Sequence, residues 1–242
     1  MHLHTPAPPS DPAQQRRLDA RRWRRAFNLS LAAVLGLVAI YAAQAGFDVP
    51  AWSVRPQRVD GLAGIATAPL LHGSAAHVGS NALGLLALGT LTIAQFPRAL
   101  MRTLPLAWIG SGLAAWWLGT AGSHHLGASG VVNGLLFMVL TLGLVRRDRP
   151  AVAAAMLGLS LFGGMLLSVL PHEPGISWQS HLGGAVGGVI GGLWGRHADP
   201  MPARVRYSWE DEDEAAEAAD AIAVIEPPSP GPTRSGHPPS WG

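Results

Sequence analysis

Four polar residues set in apolar sequence, His77, Asn81, Ser129 and His181, are of the types that make up a serine hydrolase. An alcohol is a poor nucleophile at neutral pH, so Ser129 needs a base to take its proton, and imidazole titrates in the useful range. Attack on a carbonyl also builds negative charge on an oxygen, which donors must meet. His77 and Asn81 are four positions apart, so on a helix both project from one face. Ser129, in Gly127-Ala128-Ser129-Gly130, stands at a helix start, where free N–H groups and the helix dipole favour a developing negative charge. His72 lies about half a helical turn away from Asn81, so it is assigned to anchoring the preceding loop by hydrogen bonds to backbone. The plainer reading of His77 and Asn81 is a polar pair joining two membrane helices, worth about 1 kcal/mol.

His181 is followed by the doublets Gly183-Gly184, Gly187-Gly188 and Gly191-Gly192. Glycines recurring every four residues let two helices meet backbone to backbone. Gly130 and Gly134 offer a matching surface, so this contact is expected to bring His181 within reach of Ser129. The doublets are no dinucleotide fingerprint, because no strand precedes them. An α/β-hydrolase elbow is excluded because Val131 stands where its second glycine belongs. No Asp or Glu lies between Asp60 and Asp148, which argues against paired-carboxylate glycosidases and carboxylate-ligated metals. HExxH is absent, and with no cysteine there is neither a disulfide nor thiol catalysis. Glu173, between Pro171 and Pro174, reads as part of a surface turn more than as a partner for His181.

The elements that carry these residues are membrane helices. Of 242 residues, 48% are hydrophobic and only 13% charged, and the charges fall outside the apolar blocks. Six stretches approach the length needed to cross a bilayer: Phe27 to Phe47, Leu70 to Phe96, Leu104 to Gly122, Ala128 to Val145, Ala151 to Leu170 and Gln179 to Gly195. The fold expected is an all-α, six-helix membrane bundle over residues 26–198, after an Arg/Pro-rich segment 1–25 and before an acidic, then Pro-rich tail 199–242 that is mostly disordered with room for one short helix. All 17 basic residues are arginines. Six lie at 16–25, and Arg98, Arg102, Arg146, Arg147, Arg149, Arg196, Arg204 and Arg206 fall in alternate loops, against Arg55 and Arg58 alone on the other side. The positive-inside rule puts both termini in the cytoplasm. The competing reading of the first span is a cleaved signal peptide, with Arg24-Arg25 as a twin-arginine pair and Ala43-Gln44-Ala45 as a cleavage site. Its apolar stretch is long for a signal core, and retaining it gives an even number of spans.

Taken together, His72, His77 and Asn81, then Gly127-Ala128-Ser129-Gly130, then His181 with its glycines make the chain resemble a rhomboid intramembrane serine protease over roughly residues 27–197. The resemblance implies that Ser129 is the nucleophile and His181 the base. It implies that His77, Asn81 and the Ser129 N–H line the oxyanion hole, with His72, Gly127, Gly130, Asn133 and Gly184 supporting the site. It further implies a substrate that is itself a transmembrane helix, unwound near the outer face and entering past the fifth span. No cofactor, metal or nucleic-acid partner is expected, and the location implied is the bacterial inner membrane. Two features depart from the family pattern. Asn133 stands one turn below Ser129, where the family has a ring packed on the histidine, and Ala63-Gly64 replaces a Trp-Arg pair of the first outer loop. Asn133 either hydrogen-bonds the His181 ring or only a neighbouring carbonyl or water. His124 and His125 are too close in sequence to chelate one ion. Trp108, Trp116 and Trp117 read as lipid-facing or interfacial anchors. The rival functions are a rhomboid-like protein that binds membrane helices without cutting, and a small-solute transporter. The transporter is disfavoured because the polar residues gather at one membrane face.

Overall fold

The computed structural model describes residues 12–171 and 175–200; the segment 1–11, Glu173 and the tail from 201 onward lie outside the described residues. The chain runs through α1 (Pro12–Ala43), α2 (Val49–Trp52), α3 (Gly64–Thr67), α4 (Ala75–Gly84), a π-helical stretch Leu85–Gly89 and α5 (Thr90–Gln95). It continues through α6 (Pro97–Leu118), α7 (Ser129–Arg146), α8 (Arg149–Phe162), a 3₁₀ stretch Gly163–Val169 and α9 (Trp178–Gly195). Among the described residues there is no strand, only the isolated pairing of Val54 with His125.

Among the described residues four stretches are long and apolar enough to cross a membrane: Ala13–Gly46, Ala75–Gln95, Ser129–Arg146 and Arg149–Val169. With the apolar composition they indicate an integral membrane protein. Their burial differs, and the difference gives the architecture. In Ser129–Arg146 67% of the span is buried, against 22% and 17% in Ala13–Gly46 and Arg149–Val169, so α7 is the central post and α1 and α8 are peripheral. Val132, Leu135, Leu136, Met138, Val139 and Leu142 of α7 form the main core with Leu88, Phe96 and Ala154.

The other two long helices, α6 and α9, carry glycine and alanine where large side chains would hold helices apart, and they are packed most intimately. Consecutive residues on a helix point about 100° apart, so each glycine doublet of α9 serves two neighbours. A Cβ on Gly184 or Gly188 would run into the backbone of Gly130 or Gly134 in α7. One on Gly183, Gly187, Gly191 or Gly195 would strike Gly110, Leu106, Thr103 or Ala99 in α6. These registers make α9 parallel to α7 and antiparallel to α6. The contact with Gly130 and Gly134 follows the sequence expectation, whereas the equally close contact with α6 was not anticipated.

Helix starts differ from the expected boundaries for local reasons. Ser74 caps α4, its hydroxyl accepting from the His77 N–H at 3.1 Å, so the helix begins at Ala75 and His72 precedes it. The half-turn argument for His72 therefore does not apply. Asp148 caps α8 through the Ala151 N–H and holds Arg146 at 2.7 Å. α6 begins at Pro97, earlier than Leu104, because the Asp199 carboxylate accepts from the N–H groups of Arg98 and Ala99 at 3.0 and 2.9 Å. Asp199 was assigned to a tail, yet it is buried at 3% exposure and ties the end of α9 to the start of α6. The composition of the segment 1–25 cannot bury a core; within it residues 16–25 are largely exposed and belong to the first turns of α1, since Arg, Gln, Ala and Leu favour helix wherever nothing else competes.

Candidate active site

The N-terminal ends of α4, α7 and α9 converge at one end of the bundle. There His77, Asn81, Ser129 and His181 line a cavity of about 930 Å³, walled on the far side by Leu161, Phe162 and Met165 of α8 and its 3₁₀ continuation. Ser129 is the first residue of α7, and the first backbone bond of that helix runs from the Val132 N–H to the Ala128 carbonyl. The N–H groups before Val132 thus have no acceptor inside the helix.

Gly127 sets the entry angle of this helix. Its φ of +114° is a conformation that residues with a Cβ resist, and a Cβ there would also lie 2.6 Å from His77 Nε2 and 3.6 Å from Asn81 Nδ2. Both donors therefore point at the space beside the Gly127 backbone. The Gly127 N–H is itself anchored to the Ala68 carbonyl at 2.8 Å.

Ser129 Oγ lies 2.7 Å from His181 Nε2. The two are brought together by the packing of Gly184 on Gly130, and His181 is 7% exposed. On the opposite wall the Gly73 N–H donates to His77 Nδ1 over a long 3.5 Å, which leaves the ring proton on Nε2. Asn81 is 4% exposed, and its Nδ2 is buried without a hydrogen-bond partner. A serine bonded to an imidazole, beside an amide donor, an imidazole N–H and a free helix N-terminus, has the parts needed for acyl transfer.

The supporting residues fall in three groups. Gly127, Gly130 and Gly184 act through close approach, as described. His72 is held by its backbone: the Gln44 side chain donates to the His72 carbonyl at 2.7 Å and accepts from its N–H at 2.8 Å. Its ring nitrogens are buried without partners, and the ring stands edge-on to His77 with centroids 5.0 Å apart. Asn133 is fully buried and donates to the Ser129 carbonyl at 3.1 Å, while its Oδ1 has no partner. Both nitrogens of His181 are taken by other groups, so the alternative in which Asn133 bonds a neighbouring carbonyl is the one observed.

Several contacts have no counterpart in the sequence reading. His181 Nδ1 faces Ser168, with 2.9 Å to Oγ and 3.1 Å to the carbonyl oxygen. His125 pairs its backbone with Val54 and holds its ring between Ser123 and Ser177 at 2.9 and 2.6 Å, tying the loop before Ser129 to the start of α9. Burial, and then the neighbouring His124, push the His125 imidazole below its usual titration range. Trp108 and Trp116 are not simple lipid anchors: their indoles donate to the Ala66 and Arg58 carbonyls and pin the segment between α1 and α4, whereas Trp117 is 75% exposed. That loop, which lacks the Trp-Arg pair, also carries Asp60, whose carboxyl is held below the usual range by its hydrogen bond to Arg58. No cluster of metal-ligand type occurs among the described residues.

The fold and site define a helical membrane protein with a hydrogen-bonded serine–histidine pair at one end of its bundle. The sequence model of the Rhomboid domain matches residues 60–197, and the chain belongs to the rhomboid family. It is 37% identical over 171 residues to the uncharacterized protein Rv1337 of Mycobacterium tuberculosis, covering 67% of this chain and 71% of that one. It is 38% identical over 147 residues to the uncharacterized protein ML1171 of Mycobacterium leprae, covering 57% of each. No solved structure matches the chain.

Proposed function

We propose that this protein is an intramembrane serine endopeptidase that cleaves transmembrane-helix substrates near the outer membrane face with a Ser129–His181 dyad. The observation that carries the proposal is the 2.7 Å contact between Ser129 Oγ and His181 Nε2 in a cavity where the buried Asn81 Nδ2 has no partner. In this reading Ser129 Oγ attacks the scissile carbonyl as its proton passes to His181 Nε2. The oxyanion is met by Asn81 Nδ2, the His77 Nε2–H and the Ser129 N–H. His181 then protonates the leaving amine, and water activated by the same ring releases the acyl group.

The membrane arrangement belongs to the same proposal: α1, the α4–α5 helix, α6, α7, α8 and α9 each cross once, with both termini cytoplasmic, in a bacterial inner membrane. The arginine pattern supports it. Reporters fused between Arg98 and Arg102 and near Asp148 should read cytoplasm, and one near Arg55 the opposite side; a mature N-terminus near Gly46 would overturn it. The proposed bundle spans residues 26–198, extended by the contacts of Asp199 and Pro200 with α6 and Arg146. A non-cutting rhomboid-like protein would have no need of an intact serine–histidine pair, and here both members are present and bonded.

The decisive experiment is labelling of the purified chain by a fluorophosphonate, together with cleavage of a model transmembrane substrate. Both should vanish in Ser129→Ala. Cleavage persisting in Ser129→Ala would sink the proposal.

A further inference from the structure

The His181 ring is held from both sides, by Ser129 at one nitrogen and by Ser168 at the other. His181 Nδ1 lies 3.1 Å from the Ser168 carbonyl oxygen and 2.9 Å from Ser168 Oγ. A carbonyl oxygen only accepts, so Nδ1 carries the ring proton, and Nε2 turns its lone pair toward Ser129 Oγ. The Ser168 hydroxyl has its own proton committed, donating to the Met165 carbonyl at 2.6 Å, so toward the ring it presents lone pairs. A directed chain results. Ser129 Oγ–H points at Nε2, Nδ1–H points at Ser168, and Ser168 Oγ–H points at Met165.

We propose, on the reading of Ser129 and His181 as nucleophile and base, that Ser168 is a positioning residue for His181. It fixes the tautomer and ring plane in which Nε2 can accept the Ser129 proton. It fills the place that a carboxylate fills in soluble triads, and the described hydrogen bonds of the ring go only to Ser129 and Ser168. A neutral hydroxyl suits a site in apolar surroundings, where a carboxylate would carry a heavy desolvation cost. When the ring becomes imidazolium, two oxygens of Ser168 face its Nδ1–H. Ser168 belongs to the 3₁₀ stretch Gly163–Val169, which also forms part of the cavity wall, so the same segment shapes the cavity and holds the base.

The test measures kcat and KM on a fluorogenic transmembrane-helix peptide with purified full-length Ser168→Ala, Ser168→Cys and Ser168→Thr. Alanine removes the hydroxyl, cysteine keeps the volume with a poor acceptor, and threonine keeps the hydroxyl. In the first two, kcat should fall about tenfold, the worth of roughly one neutral hydrogen bond. The backbone carbonyl remains as a second acceptor and keeps the loss from being larger. KM and thermal unfolding should stay unchanged, and Ser168→Thr should recover kcat to within about threefold of the parent. Full turnover in both Ser168→Ala and Ser168→Cys overturns the proposal. So does a loss that appears in KM or in unfolding and is not restored by threonine. Ser129→Ala run in parallel separates the two claims. If it still turns over, the nucleophile reading fails and takes this one with it; if it is inert beside a fully active Ser168→Ala, only this one fails.

Discussion

The two walls of the cavity are built on opposite principles. On the α9 side every polar atom of the His181 ring has a partner, Ser129 at one nitrogen and Ser168 at the other. On the α4 side, Asn81 Nδ2 is buried with none. An unpaired buried amide costs roughly 1–3 kcal/mol, a cost that the proposed mechanism offsets when the acceptor arrives with the substrate. In the proposed mechanism the filled wall handles a proton that is already there, and the unfilled wall a charge that forms only during reaction. If so, changes on the two walls should have different kinetic signatures.

The largest effect belongs to the filled wall. His181→Ala should lower cleavage of a model transmembrane substrate by about 10³-fold or more, and adding Ser129→Ala should cost little further, because nucleophile and base act as a unit. Additive losses in the double variant would break the pairing. On the unfilled wall, Asn81→Ala and His77→Ala should each lower kcat by about 10²-fold with KM nearly constant. Asn81→Ala removes a buried orphan donor, so its thermal stability should hold or rise slightly. A higher KM at constant kcat would instead make the pair simple helix–helix glue.

The unfilled wall was the more legible of the two in the sequence. His77 and Asn81 sit four apart on one helix, so local rules suffice. The glycine doublets announced close helix contact because size alone decides it. What they did not announce is that the alternate glycines serve α6, since a doublet looks the same whether one or two neighbours use it. Ser168 left no trace at all: it reaches His181 through a 3₁₀ stretch whose register no periodicity predicts. Asp199 capping α6 across 100 residues of chain belongs to the same class, as do the tryptophan indoles bonded to loop carbonyls. Contacts within a helix or set by side-chain size could be read; hydrogen bonds between elements distant in the chain could not.

A smaller effect should appear at the strap that ties the loop before Ser129 to the start of α9, His125 with Ser123 and Ser177. Burial and the adjacent His124 hold this imidazole below its usual range, so the folded state favours the neutral ring. A group whose folded titration point is depressed in this way contributes stability that is complete above its free value, about 6.5. That contribution is lost as pH falls through it, because the unfolded chain takes up the proton first. The melting temperature should therefore decline between about pH 7 and pH 5, and His125→Asn should remove part of that decline. An unchanged pH profile in His125→Asn would show that the strap does not titrate in this way.

The smallest effect expected is at Asn133, and it is also the most discriminating. Its Nδ2 donates to the Ser129 carbonyl within the same helix, an i to i−4 bond beside the backbone ladder, while Oδ1 is buried without a partner. Removing the amide loses one weak bond and one orphan acceptor together, and opens a small void. The terms oppose one another, so Asn133→Ala should move stability by no more than about 1 kcal/mol. With both nitrogens of His181 occupied by Ser129 and Ser168, turnover should stay within about threefold of the parent. Asn133→Tyr, which would restore the aromatic ring usual in the family, must fit a fully buried site and should cost stability through overpacking without raising kcat. A tenfold drop in kcat for Asn133→Ala at unchanged unfolding temperature would mean that the amide, and not Ser168 alone, orients the base. The contrast between a filled wall and an unfilled one would then have to be redrawn around it.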